Sequence, residues 1–241
     1  MDTRVPSIYS FPAPPVKLDC PNSTVDDRGN TKTYSFAIDE RNYHFLKSIG
    51  HIVEFPEIKL KDNFVNLYNE FDFEQNKFRA DEYIDYTGWD VEDNREDDII
   101  RFRLCNKPGQ NLIQSAELSD NENIYHRLDR TSSDFLYNFY FPEQDDHKIG
   151  PWKYDTIEEV KCNVHEPWMF SFGDFLAFPI MCFGGNNKLK LKYTINVRII
   201  DFIQMQKWDK AERKWVDVHK NNMTYYLDKK CPSDIKTPEF W

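Results

Sequence analysis

Lys188–Ile199 reads KLKLKYTINVRI. Leu189, Leu191, Tyr193, Ile195, Val197 and Ile199 are apolar, and Lys188, Lys190, Lys192, Thr194, Asn196 and Arg198 fall between them. Strand side chains switch faces at every residue, so six alternations predict a β-strand with one dry face and one wet face. The apolar phase continues on odd numbers through Ile203 and Met205, but Asp201 interrupts it. This break predicts one of two things: a β-bulge that keeps Asp201 wet, or a stretch covered on both faces with Asp201 beside a cation.

Upstream, Phe170–Phe183 is almost continuously apolar, as in a strand buried on both faces, and Gly184-Gly185-Asn186-Asn187 is a turn sequence. Together with the alternating strand it predicts a hairpin. Trp208 and Trp215 flank Asp209–Glu212 and predict a second one. Strand patterns also cover Thr33–Ile38, Ile100–Leu104 and Ile157–Val164, and more weakly Ile52–Leu60, which Pro56 breaks. Phe135, Tyr137, Phe139 and Phe141 predict an aromatic strand face. Asp62 is placed to cap a short helix bearing Phe64, Val65, Tyr68 and Phe71 on one face. Lys107-Pro108-Gly109 predicts a turn, and Leu112–Leu128 is ambiguous and partly helical in pattern.

The expected fold is mainly β: an antiparallel two-sheet sandwich, jelly-roll-like, of eight to ten strands with one or two short helices and extended terminal arms. A chain of 241 residues, 40% apolar and 16% aromatic, can fill one such core. Residues 1–30 are expected to form an N-terminal arm, 31–223 a single β-sandwich domain and 224–241 a C-terminal arm. Pro6, Pro12, Pro14 and Pro15 forbid a helix at the start, yet Tyr9 and Phe11 sit among them. Such residues suit an arm that docks rather than a solvated tail. At the other end, Phe240 and Trp241 follow Pro238 and need covering, by the chain's own body or by a neighbour.

A net charge of −10 repels phosphate backbones, so direct nucleic-acid binding is disfavoured. Met1–Pro15 has no apolar run of the secretory kind, and Trp168–Phe183 is too short for a membrane span and contains Asp174. The expectation is an intracellular, cytoplasmic protein without a membrane partner, or a virion or occlusion-body component if the chain is viral. Cys20, Cys105, Cys162, Cys182 and Cys231 have neither disulfide-framework nor zinc spacing and read as reduced thiols.

Nine acids between Asp81 and Asp98 face only Arg95. Asp90, Glu92, Asp93 and Glu96 are weak candidates for a hard-cation site, but Arg95 stands where a calcium loop needs glycine. No metal or other cofactor is expected. The acids have a possible complement: Lys188–Lys220 holds nine basic residues against four acidic ones. Lys188, Lys190, Lys192 and Arg198 share the wet face of the strand, and an array of charges fixes register between elements or between copies. Trp208 and Trp215 are weak candidates for stacking on a ligand, cross-strand pairing being the plainer account. The six histidines lack metal spacing, and there is no G-x-S-x-G elbow or phosphate-cradling glycine loop.

A rigid β body with arms at both ends suits a non-enzymatic structural protein that self-assembles, such as a viral coat or occlusion-body matrix subunit. Its partners are then copies of itself or subunits of a larger assembly, with Tyr9, Phe11, Phe240, Trp241 and the basic stripe as interface candidates. The alternative readings are a carbohydrate- or ligand-binding sandwich module and an accessory subunit of a large intracellular complex.

Overall fold

The computed structural model describes residues 22–25, 29–38, 45–46, 48–79, 97–140, 150–165, 178–179 and 188–240. Strands dominate: β1 (Asn22–Val25), β2 (Thr31–Ala37), β3 (Phe45–Leu46), β4 (Gly50–Phe55), β5 (Ile58–Lys59), β6 (Phe71–Asp72), β7 (Lys77–Phe78), β8 (Ile100–Leu104), β9 (Ile113–Ser119), β10 (Ile124–Asp129), β11 (Thr156–Ile157), β12 (Val160–His165), β13 (Phe178–Pro179), β14 (Lys190–Asn196), β15 (Ile203–Asp209), β16 (Lys214–Asp217) and β17 (Glu239–Phe240). Four short helices interrupt them: α1 (Asp62–Glu70), α2 (Pro108–Asn111), α3 (Arg130–Tyr140) and α4 (Lys220–Tyr226). The protein is mainly β, and the pairings among the described residues are antiparallel.

The opening stretch is the central strand. β14 lies in a five-stranded sheet of order β1-β2-β14-β9-β10, with Leu191, Tyr193 and Ile195 buried and Lys190 and Lys192 exposed. A three-stranded sheet, β12-β4-β17, lies across the core from it, and Phe240 touches Phe36 and Tyr193 with ring centroids 4.9 and 4.7 Å apart. A second three-stranded sheet, β16-β15-β8, contributes Ile100, Phe102, Ile203 and Met205 to the same core.

Several expectations need correction. The hairpin between Phe170–Phe183 and the alternating strand does not form along β14, because β2 and β9 take both edges of that strand. Within the apolar run, only Phe178–Pro179 is described, and it pairs with β3. The phase break is not a bulge. A 3-10 turn at Ile199–Phe202 ends β14 and starts β15, so one continuous pattern serves two sheets. Asp201 is held there by Lys220 Nζ at 2.9 Å and Asn196 Nδ2 at 3.0 Å, close to the covered alternative.

Phe135, Tyr137 and Phe139 of the expected aromatic strand are instead part of helix α3, and Phe141 lies outside the described residues. Asp129 Oδ1 accepts the Ser132 backbone N–H at 2.8 Å, an N-cap that outweighs the two-residue spacing of the aromatics. Leu112–Leu128 is the reverse case. It forms the β9–β10 hairpin, turned by Asp120, whose Oδ1 accepts the N–H groups of Glu122 and Asn123 at 2.7 and 2.6 Å. Helix α1 begins after Lys61, so Asp62 is its first residue rather than its cap. Pro108 starts the one-turn α2 instead of only turning the chain, with Lys107 at φ 51°. The short helices therefore number four among the described residues, not one or two.

The expected arms meet the body early. Asn22–Val25, inside the 1–30 segment, pairs with β2. Helix α4 spans the position expected to divide body from C-terminal arm.

Candidate functional site

The chain beyond α4 is a strap that ends in a plug. Asp228 N–H donates to Lys59 O at 2.9 Å, Ser233 O accepts from Ile199 N–H at 3.0 Å, and Ile235 N–H donates to Val197 O at 2.9 Å. Lys236 Nζ then reaches Glu54 at 3.1 Å and Glu159 at 3.4 Å. β17 completes the free edge of β4, with Glu239 opposite Ile52 and Phe240 opposite His51. Phe240 is only 2% exposed. Tyr34, Phe36, His51 and Tyr193 surround it, with centroids 5.8, 4.9, 6.0 and 4.7 Å away. Of the two coverings open to Phe240, the chain's own body supplies the one seen here. Trp241, Tyr9 and Phe11 lie outside the described residues.

His51 was not singled out in the sequence. It is buried, and its Nε2 lies 3.0 Å from Gly109 O, which locks α2 to β4 behind the plug. A Cβ on Gly109 would meet Cys162 Cβ and Val164 Cγ2 at 2.8 Å, so α2 docks on β12 through a glycine-only approach. Its signal in the sequence was the lone Pro-Gly pair.

The basic stripe is divided. Lys188, Lys190 and Lys192 are exposed together. Lys190 Nζ donates to Asn121 Oδ1 at 2.7 Å, and Lys192 pairs in register with Glu117. Arg198 leaves the stripe: it sits half-buried at the end of β14, where its guanidinium lies 3.4 Å from Asn30 Oδ1. The acids at 81–96, including Asp90, Glu92, Asp93 and Glu96, lie outside the described residues. The last two acids of the segment pair further downstream: Asp97 with Lys210 at 3.2 Å, and Asp98 with Lys207 at 3.5 Å and the Tyr226 hydroxyl at 2.6 Å. No group of three or more potential metal ligands occurs among the described residues.

Trp208 and Trp215 face each other across β15 and β16, centroids 5.3 Å apart. They belong to a larger construction. Trp208 Nε1 donates to Asn76 Oδ1 at 2.9 Å, and Phe73 touches both indoles. The Arg101 guanidinium packs on the Trp215 and Trp152 rings at 4.1 and 4.5 Å, and Arg103 packs on Trp152 at 4.1 Å. Gln206 and Gln204 on β15 accept from Arg101 and Arg103, holding both forks in place. Beyond Trp215 comes Tyr68, and beyond it Tyr154, stacked in parallel at 4.2 Å. Both indoles are thus engaged inside the molecule. The overlooked signal was the alternation of Arg101 and Arg103 on a strand that pairs with Gln204 and Gln206. Burial pushes the Arg101 pKa down and the Tyr68 pKa up.

A cleft of about 520 Å³ opens between the strap and the body, lined by Asn30, Lys61, Arg198, Leu227, Lys229 and Asp234 among others. Cys105, Cys162 and Cys231 are free thiols, and burial raises the pKa of the first two. No helix among the described residues is long and apolar enough to cross a membrane.

These features define a mainly β protein of antiparallel sheets, closed by a C-terminal strap and stiffened by an aromatic–guanidinium ladder. No protein-family model matches the sequence, and no curated protein matches it. Among solved structures, the chain is similar to the PBCV-1 virus capsid quasi-atomic model, at 12% identity and a TM-score of 0.46, over 94% of this chain and 40% of that one. It is also similar to the Faustovirus major capsid protein, at 10% identity and a TM-score of 0.39, over 96% of this chain and 55% of that one. The chain therefore spans about half or less of the length of these two proteins.

Proposed function

We propose that this chain is a non-enzymatic structural protein that assembles with copies of itself, as a virus-type coat or occlusion-body matrix subunit does. The observation that carries this reading is the exposure of large apolar side chains on the last strand of the large sheet and on the helix that follows it. β10 ends the sheet order among the described residues, and Ile124 on it is 60% exposed. On the adjoining helix α3, Phe135 is 68% exposed. A sheet edge with apolar side chains beside it invites another copy, since isolated proteins blunt such edges with charge or cover them. The rigid ladder, the lysines of β14 and the arms are the other parts that this reading uses.

The test is the native mass by light scattering, with negative-stain microscopy of the same sample. The expected result is a particle or lattice that Ile124→Asp and Phe135→Asp reduce to smaller species. A full-length chain that stays monomeric at high concentration overturns the reading.

One observation favours a second reading, a carbohydrate-binding module: the aromatic ladder ends at Tyr154, which is 39% exposed. A glycan array in which Tyr154→Ala abolishes a signal supports it, and a flat array removes it.

A further inference from the structure

We infer that the β4 edge and its aromatic cage form a strand-acceptor slot that the C-terminal strap of a second copy of this chain can fill in place of the chain's own. This inference rests on the self-assembly reading above and names the segment through which copies would be joined.

The slot is complete without the strap. Its backbone edge is β4, and its walls are Tyr34, Phe36, His51 and Tyr193, all upstream of residue 200. The other edge of β4 is taken by β12, so β17 is the partner that satisfies the remaining edge. The plug is the last described strand, only two residues long. It hangs on a connection from Leu227 to Glu239 that contains Pro232 and Pro238, bonds to the backbone of Lys59, Val197 and Ile199, and buries Ile235 in the core.

A strap from another copy would bring the same Glu239 and Phe240 to the same Ile52 and His51. Contacts made in cis and in trans are then identical, which is the condition for domain swapping. What favours cis is the tether alone, an effective concentration of order millimolar for a short linker. Copies held side by side in an assembly offset that advantage. β-Strand addition supplies the main-chain hydrogen bonds, and the cage around Phe240 supplies the specificity.

The Lys236–Glu54 pair, 3.1 Å apart, makes exchange measurable without any substitution. Equal amounts of ordinary and ¹⁵N-labelled full-length chain are mixed at assembling concentration, and a zero-length carbodiimide joins Lys236 to Glu54. Mass spectrometry then shows whether each joined pair of peptides carries one isotope or two. The expected result is a mixed-isotope share that rises with protein concentration towards the random-mixing value and falls when Phe240→Ala replaces both chains. Pairs of a single isotope at every concentration overturn the inference. The native mass of the same sample separates the two readings: a particle without mixed pairs leaves self-assembly standing and sinks exchange, whereas a monomer throughout sinks both.

Discussion

The ring of Phe240, from the last described strand, lies on the ring of Tyr193, from the central strand, with centroids 4.7 Å apart and planes 24° apart. Phe240 is thereby part of the core. Deleting a buried phenyl ring costs about 3–5 kcal/mol, from lost transfer energy and from the cavity left behind. Phe240→Ala should lower the stability by about that amount in denaturant unfolding, and Phe240→Leu by clearly less. A Phe240→Ala chain as stable as the wild type would mean that the plug is not seated.

The ladder should behave as a coupled unit. Arg101 contacts two indoles and donates two hydrogen bonds to Gln206 Oε1, at 3.0 and 2.7 Å. Cation–π contacts at partly desolvated sites are worth about 0.5–2 kcal/mol. A double-mutant cycle of Arg101→Ala and Trp152→Ala should give a coupling of about 0.5–1.5 kcal/mol. Arg101→Lys should rescue little, because an ammonium lacks the planar fork that both stacks and bonds to glutamine. Strictly additive losses would sink the account.

How much of this was legible beforehand depends on the range of the interaction. The alternation at Leu189–Val197 and at Ile100–Leu104 predicted strands that are present, because one buried face imposes its period on the sequence. The Trp208–Trp215 hairpin was likewise local. Partner choice was not legible: a strand pattern has two edges, and nothing in it says that β2 and β9, rather than the neighbouring apolar run, will occupy them. The strand expected through Phe135, Tyr137 and Phe139 failed for another reason. Its aromatics fit two periods, and the deciding contact was a single capping carboxylate at Asp129. The cage around Phe240 gathers residues from positions 34, 36, 51 and 193, so the sequence could show that the plug needed a cover but not which one.

Gly109 should tolerate no side chain. An added Cβ would stand 2.8 Å from both Cys162 Cβ and Val164 Cγ2, and neither atom is the end of a flexible chain. Forcing extra volume into such a contact costs about 1–3 kcal/mol. Gly109→Ala should therefore lower the melting temperature and weaken the His51 contact to the Gly109 carbonyl. Unchanged melting would show that α2 can lift away at no cost.

Asp201 should stabilise the fold in a pH-dependent way. Burial by itself would raise its carboxyl. The hydrogen bonds from Asn196 and Lys220, with the charges of Lys220 and Arg198, outweigh that and hold its pKa below the usual carboxylate value. A depressed carboxylate contributes stability that is present above the unfolded pKa, about 3.9, and is lost as the pH falls through the folded value. Asp201→Asn should cost about 1 kcal/mol at pH 7, in the range of a well-placed ion pair. The gap to the wild type should close in acid. A gap that persists at low pH would assign the loss to packing instead.

The strap should come loose in alkali. Glu54 and Glu159 raise the Lys236 pKa, through hydrogen bonds first and charge second, and Lys236 with Lys161 lowers that of Glu54. A raised lysine contributes stability that is complete below its unfolded pKa, about 10.4, and is lost as the pH rises through the higher folded value. Near neutral pH the ammonium ties the strap to β4. Once the pH has risen through that folded value the tie is gone, and the freed carboxylates leave an acidic chain more strongly self-repelling. The exposed pairs are also screened by salt. Protease cleavage after Lys236 should accordingly speed up both at high pH and in molar salt, using an enzyme that is active in both, and Lys236→Gln should cleave at a nearby site with no further dependence on salt. If assembly runs through this strap, particles should dissociate over the same alkaline range. Cleavage and assembly that are both indifferent to salt, and to alkali taken well past the ordinary lysine value of about 10.4, would remove Lys236 from any role in holding the strap.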